Sequence, residues 1–162
     1  MANVDKPNGF RFAYTTHGGP PTIHKYTNSA VLLYPGDLVK ISSGVVASIT
    51  AAETPMGVAL NYASATGGET VYVMDDLTNT VFKVQADGAL AVTQIGDYFD
   101  VTCTAGDTTT LQGQQELDVD ASAEDQLLLI GKVDEPNNAW AANVNVYVKI
   151  RTDSQATVLT AT

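Results

Sequence analysis

The side chains that could carry out acid–base or nucleophilic chemistry are few, and their spacing matches no common catalytic pattern. The two histidines, His17 and His24, lie in a Gly/Pro-rich stretch, and Cys103 is the single cysteine. A hydrolase needs a nucleophile, a base and an orienting acid, yet no serine lies in a Gly-x-Ser-x-Gly motif. We therefore predict no catalytic residue. An enzyme remains an alternative if His17 or His24 reaches Cys103 or a carboxylate.

Metal and phosphate sites are equally weak in the sequence. No His-Glu-x-x-His motif, close cysteine pair or glycine-rich phosphate loop occurs. The acidic stretch 118–125 begins like a calcium loop, but Ala123 occupies the position that needs Gly and Leu129 the position that needs Glu. We predict no metal and no cofactor. An irregular calcium site among Asp107, Asp118 and Asp120 stays open beside the simpler interpretation, a solvated acidic loop.

Composition and charge exclude several classes of protein. The chain has 162 residues, of which 44% are hydrophobic and 16% charged, which is typical of one globular domain. A formal net charge of -10 disfavours nucleic-acid binding, because the protein as a whole would repel phosphate. No apolar run approaches the roughly 18 residues of a membrane span, and no secretory signal is recognisable. We expect a soluble protein that is made in a cytoplasm.

The basic residues are concentrated near the start of the sequence. Residues 1–36 carry three basic residues and one acid, together with closely spaced Gly and Pro. Gly and Pro at this density interrupt regular structure, so we predict an extended basic arm over residues 1–28. The aromatic residues of the arm indicate that part of it packs on something, either a partner or the chain's own core.

From Ser29 onward, short β-branched and apolar runs alternate with turn residues. This spacing predicts an all-β fold with little helix: a compact antiparallel β-barrel, or a tulip-like or sandwich-like domain, over residues 29–151. A tight hairpin is expected around Ser43 and Gly44, and a long acidic surface loop over 106–125. The tail 152–162 is predicted to fray or to exchange a strand with a neighbour.

Several stretches, taken in order and spacing, resemble the small capsid decoration (cement, or head auxiliary) proteins of tailed bacteriophages. They include MANVDKPNGFR at 1–11, GGPPTIHKY at 18–26, YPGDLVK at 34–40, MGV at 56–58, TVFKVQ at 80–85, IG at 95–96, QELD at 115–118, LLLIG at 127–131, EPNN at 135–138 and VNVYVKIR at 144–151.

The resemblance implies a structural virion protein that binds the outer surface of the expanded capsid. Such proteins clamp neighbouring major capsid subunits, commonly as trimers, so the implied partners are the major capsid protein and further copies of this chain, with no nucleic acid and no membrane. The implied location is the virion surface after synthesis in the bacterial cytoplasm. The residues that would contact the capsid are basic or aromatic members of the arm: Lys6, Phe10, Arg11, Phe12, Tyr14, Lys25 and Tyr26.

Two other functions remain open. A minor virion component, such as a head fibre base or a tail part, would share the same composition. A host-glycan-binding module would use exposed aromatic rings to stack on sugars, and Trp140 and Tyr147 are the candidates.

Overall fold

The protein is built almost entirely of β-strands. The structure is a computed structural model that describes residues 2–151, and over this range the sole helical element is a 3₁₀ turn at Val92–Gln94. The strands are β1 (Arg11–Thr15), β2 (Ile23–Thr27), β3 (Leu38–Ser42), β4 (Val45–Ser48), β5 (Gly57–Ala59), β6 (Thr70–Met74), β7 (Thr80–Gln85), β8 (Tyr98–Thr102), β9 (Glu116–Asp118), β10 (Leu127–Lys132) and β11 (Asn145–Ile150).

The strands form two antiparallel sheets in a sandwich-like arrangement. The six-stranded sheet has the order β1-β7-β11-β10-β8-β9, and the five-stranded sheet has the order β2-β6-β5-β3-β4. The expected all-β class is confirmed, and of the two predicted architectures the sandwich fits, because neither sheet closes into a barrel. The β3–β4 hairpin is also confirmed, with Ser43 and Gly44 at positive φ in its turn.

The two sheets enclose a main core. Alternate residues of the six-stranded sheet point inward, as in β11, where Val146, Val148 and Ile150 are buried while the residues between them are half-buried. Phe82 of β7 and Leu38 of β3 meet in this core, so it joins both sheets. Burial of this apolar surface is the main stabilising contribution.

A second, smaller core lies on the other face of the five-stranded sheet. This sheet curls so that its two ends approach each other without pairing along their length. Asn28, just after β2, forms a single parallel bridge with Val46 of β4. Strand β6 is covered along one face, where Val71 and Val73 point into the second core. On its other face Met74 enters the main core, while Thr70 and Tyr72 stay exposed.

The predicted arm is not separate from the β domain. Residues 11–15 are a strand of the six-stranded sheet, and residues 23–27 are a strand of the five-stranded sheet, so the sheets begin well before residue 29. The Gly/Pro-rich stretch between them serves as the crossing from one sheet to the other. We call residues 2–28 the N-terminal segment. The predicted tail 152–162 lies outside the described residues.

The acidic stretch 106–125 also differs from the expected surface loop. It contains strand β9, and Leu117 of that strand is fully buried in the main core. The Gln115 side chain is 1% exposed, and its Oε1 accepts the backbone N–H of Leu38 at 2.7 Å. A buried amide satisfies a backbone donor here, so the stretch is tied to the five-stranded sheet.

Asp100 organises the remaining part of the acidic stretch. Its side chain lies in β8 with a residue exposure of 7%. Oδ2 accepts the backbone N–H of Ala123 at 3.0 Å, and Oδ1 accepts those of Glu124 and Asp125, both at 2.9 Å. One buried carboxylate thus satisfies three consecutive backbone donors, which fixes the turn that leads into β10.

Replacing Asp100 with Ala should lower the free energy of unfolding by about 3 kcal/mol, because three N–H groups lose a charged acceptor. Urea denaturation of both proteins measures this difference. Asp120→Ala is the control, since Asp120 is an exposed acid of the same stretch. Equal effects of the two substitutions would contradict the assigned role of Asp100.

Candidate partner-binding surface

The N-terminal segment supplies an edge strand to each sheet. Within residues 2–151, β1 has β7 as its one strand neighbour, and β2 pairs along its length with β6. The Thr16 N–H donates to the carbonyl of Asn79 at 2.8 Å, which joins the β1–β2 connection to the β6–β7 connection. An edge strand presents unpaired backbone groups that can pair with another chain.

The opposite ends of the sheets are partly covered by the protein itself. In the six-stranded sheet, Leu117 of β9 bridges to Ala86, and its carbonyl accepts the Asp87 N–H at 3.0 Å. In the five-stranded sheet, β4 receives the bridge between Val46 and Asn28. In the six-stranded sheet the more open edge is therefore β1. In the five-stranded sheet the bridge covers the end of β2 as much as it covers β4.

Two of the predicted aromatic anchors are exposed on β1. Phe12 is 42% exposed and Tyr14 is 44% exposed. The Tyr14 ring packs edge-on against Tyr147, with 5.8 Å between the ring centroids. Both side chains are held by a strand and yet keep much of their surface in water, which suits them to contact a partner.

Phe10 must be removed from the predicted binding set. Phe10 is 1% exposed and packs in the main core. The sequence left open whether the aromatic residues of the arm pack on a partner or in the chain's own core, and Phe10 does the latter. The Phe10 N–H donates to the Gly36 carbonyl at 2.8 Å, and Gly9 before it has a φ of 70°. That left-handed turn, which suits glycine, directs Phe10 inward.

The three predicted basic residues differ in accessibility. Lys6 and Lys25 are exposed, and the Lys25 Nζ lies 5.7 Å from the centroid of the Tyr72 ring. Arg11 is half-buried and its guanidinium donates to Gln112 Oε1. Burial lowers the pKa of Arg11, an effect that the negative charge of Asp37 opposes. Lys6 and Lys25 can meet a partner's acids, whereas Arg11 ties β1 to the acidic stretch.

Tyr26 belongs to a small polar cluster on the five-stranded sheet. Its hydroxyl donates to Asp75 Oδ2 at 2.7 Å, and His24 Nδ1 lies 2.8 Å from the same oxygen. The hydrogen bond to Asp75, burial and the charge of Asp75 together raise the pKa of Tyr26 to about 12. The phenol therefore stays protonated at neutral pH.

An enzyme was left as an alternative if His17 or His24 reaches Cys103 or a carboxylate, and His24 does reach the Asp75 carboxylate. In the part of the chain that the structure describes, however, the imidazole of His24 hydrogen-bonds to no serine, threonine or cysteine side chain. Cys103 is half-buried, and burial, with the negative charges of Asp37 and Glu53, raises its pKa to about 11. Among residues 2–151, His24 and Asp75 are therefore paired with each other and not with Cys103.

No metal-binding cluster of His, Cys, Asp or Glu occurs within residues 2–151. The acids proposed for an irregular calcium site are engaged in turns: Asp107 Oδ1 accepts the Thr109 N–H at 2.7 Å, and Asp118 Oδ1 accepts the Asp120 N–H at 2.9 Å. These contacts support the simpler interpretation, in which short polar side chains stabilise the loop backbone.

Trp140, the candidate sugar platform, is half-buried and packs against the main core. Tyr147, its suggested companion, packs against Tyr14. Neither ring stands free as a stacking surface, which weakens the glycan-binding alternative.

Asp37, which directly precedes β3, is a buried acid that was not among the predicted site residues. It is 3% exposed, and its Oδ2 accepts the Tyr34 N–H at 2.9 Å, while Oδ1 has no hydrogen-bond partner. Burial raises the pKa of Asp37 to about 6, against the opposing effects of the Tyr34 hydrogen bond and the positive charge of Arg11. A carboxyl group near β1 thus changes charge just below neutral pH.

Comparisons with known proteins give no relative. A scan of protein-family models and searches of curated proteins and of solved structures found no match to this chain. As for membranes, none of the helical structure within residues 2–151 is long and apolar enough to span one.

The raised pKa of Asp37 predicts a stability that depends on pH. The contribution of the protonated carboxyl is fully present below the ordinary pKa of 3.8 and is lost as the pH rises through about 6. Asp37→Asn does not titrate, so its free energy of unfolding should improve relative to the native protein by about 3 kcal/mol across that window. Urea denaturation at a series of pH values measures the difference, and a difference independent of pH would contradict the assignment.

Proposed function

We propose that this chain is a structural protein of a tailed-bacteriophage virion, which binds the outer surface of the capsid and stabilises the expanded head by bridging neighbouring major capsid subunits. The observation that carries the proposal is that one basic, aromatic segment supplies an edge strand to both sheets and exposes Phe12 and Tyr14 on the open β1 edge. The sequence resemblance to capsid decoration proteins supports the choice of partner.

The open edges suggest how binding would work. A strand of the capsid protein can add to β1 or β2 through backbone hydrogen bonds, while Phe12 and Tyr14 supply apolar contact area beside the edge. Lys6 and Lys25 would attract acidic groups on the capsid surface and accelerate association. Most of the acidic residues remain on the rest of the protein, which favours solubility.

Bridging follows from the presence of two edges in one molecule. If β1 contacts one capsid subunit and β2 its neighbour, the second contact forms within an already bound complex, so weak single contacts combine into firm attachment. Association of this chain into a trimer, expected from the resemblance, would multiply the effect. Trimer formation remains a prediction.

The structure changes how the segment should be tested. Deleting residues 1–26, the direct test of a separate arm, would remove β1, most of β2 and the buried Phe10. Such a truncation would fail to fold whether or not the segment binds a capsid. Substitutions of exposed side chains avoid this problem.

The double substitution Phe12→Ser, Tyr14→Ser should weaken binding to undecorated, expanded heads by about tenfold or more, because exposed aromatic anchors carry a large share of interface energy. Co-sedimentation with heads of the phage that encodes the chain gives the affinity, and electron cryomicroscopy shows the occupied positions. Val92→Ser is the control, since Val92 is 58% exposed and lies on the 3₁₀ turn beside β10.

Two results would change the proposal. Unchanged binding of the double variant would place the interface elsewhere on the protein. If the native protein is absent from the head lattice and is found at one vertex or on the tail, the chain is a minor virion component instead.

A further inference from the structure

A lysine, a glutamate and an asparagine meet on the outer face of the six-stranded sheet. Lys83 Nζ lies 2.5 Å from Glu135 Oε2, and Asn145 Nδ2 donates to Glu135 Oε1 at 2.7 Å. One carboxylate therefore holds an amine and a carboxamide side by side. Lys83 lies on β7, Asn145 on β11, and Glu135 in the connection between β10 and β11.

The strand register keeps the amine and the amide together. Strands β7 and β11 are antiparallel neighbours in which Lys83 is opposite Tyr147 and Asn145 is opposite Gln85. Lys83 and Asn145 are thus diagonal neighbours on one face, and such positions are about 7–8 Å apart, within reach of a lysine side chain. Two paired strands, rather than mobile loops, fix the separation.

This combination differs from the other lysine–carboxylate contact of the described chain. Glu53 accepts Lys40 and the backbone N–H of Thr50, and no amide side chain. The Lys40 pair can only be an ion pair. At Glu135, the same kind of pair includes a carboxamide that hydrogen-bonds to the same carboxylate as the amine.

We propose that Lys83 and Asn145 form an intramolecular isopeptide bond, with Glu135 as the general base and acid of the reaction. The bond joins Lys83 Nζ to Asn145 Cγ and cross-links β7 to β11. This inference is independent of the proposed capsid binding.

The reaction needs no further reactant. Glu135 accepts a proton from the Lys83 ammonium, and the neutral amine attacks Asn145 Cγ to give a tetrahedral intermediate. The C–N bond to Nδ2 then breaks, and Glu135 returns its proton to the departing nitrogen, which leaves as ammonia. Nζ loses a second proton as the new amide forms, and this proton converts the ammonia into an ammonium ion. The products are a secondary amide and one ammonium, so the chain loses the positive charge of Lys83.

The surroundings provide the required base and an exit. Burial acts to raise the pKa of Glu135, but the hydrogen bonds from Lys83 and Asn145 and the charges of Lys83 and Lys132 lower it below its ordinary value. The carboxylate is therefore ionised, and although the lowered pKa makes it a weaker base than an ordinary glutamate, its Oε2 is in direct contact with the Lys83 ammonium that must lose a proton. A cleft of about 260 Å³, lined in part by Lys6, Glu135 and Asn145, gives the leaving ammonia a route to solvent. Proximity in a fixed site replaces a collision between separate reactants.

The test is the intact mass of the full-length protein, measured by electrospray ionisation after purification and again after incubation at neutral pH. We expect a mass lower than that of the sequence by one ammonia. A protease digest should contain one peptide in which the Lys83 and Asn145 segments are joined. The cross-linked protein should also unfold at a higher temperature than the Lys83→Arg variant, because the bond closes a long loop.

Matched variants separate the cross-link from other losses of ammonia. Lys83→Arg retains the positive charge but should keep the full mass, as should Glu135→Gln and Asn145→Ala. Asp134→Asn, which changes the exposed acid next to Glu135, should form the bond normally. Cyclisation at Asn8-Gly9 also releases ammonia, but it would persist in Lys83→Arg and would give no joined peptide.

Two results would overturn the proposal. One is a native protein with the full mass and no joined peptide after incubation, which would leave Lys83, Glu135 and Asn145 as an ion pair with an added hydrogen bond. The other is a loss of ammonia that persists in Lys83→Arg.

Discussion

The structure depends on the pairing of one segment with two sheets. Buried backbone N–H and C=O groups must be hydrogen-bonded, and each sheet of this sandwich would otherwise end at β6 or β7 with that strand exposed. The N-terminal segment covers both strands and crosses between the sheets through its Gly/Pro-rich turn. Because Phe10 enters the main core just before β1, the segment is also held by apolar burial. Its own outer edges are then the surfaces left for a partner.

Buried polar side chains fix the long connections to this framework. Asp100, Gln115 and Gln126 each accept a backbone N–H from another part of the chain, and each is almost fully buried. In a low-dielectric interior such bonds are costly to lose, so they define single conformations for stretches that contain little regular structure. Asp37 differs from the other three because one of its oxygens has no partner. Burial raises the pKa of Asp37.

The parts of the fold that could be predicted from sequence are those encoded locally. The alternation in β6, the β3–β4 hairpin and the strand at 80–85 follow from side-chain period and turn residues within a few positions. The strands of the N-terminal segment were missed because their partners lie far along the chain, and Gly and Pro conceal a short strand among turns. For the candidate surface, Phe12 and Tyr14 were recognisable as aromatic residues, but only the tertiary structure separates them from the buried Phe10. The meeting of Lys83, Glu135 and Asn145 depends on the pairing of β7 with β11 and has no local signal.

The long sequence separation between β1 and its partner β7 has a consequence during synthesis. Residues 11–15 leave the ribosome long before residues 80–85, and residues 23–27 precede their partners in β6 by a similar interval. Until those partners emerge, the nascent chain carries two strands with no intramolecular neighbour, and contacts of high sequence separation form slowly. Newly made copies are therefore most prone to associate wrongly through the same strands that remain accessible in the finished fold.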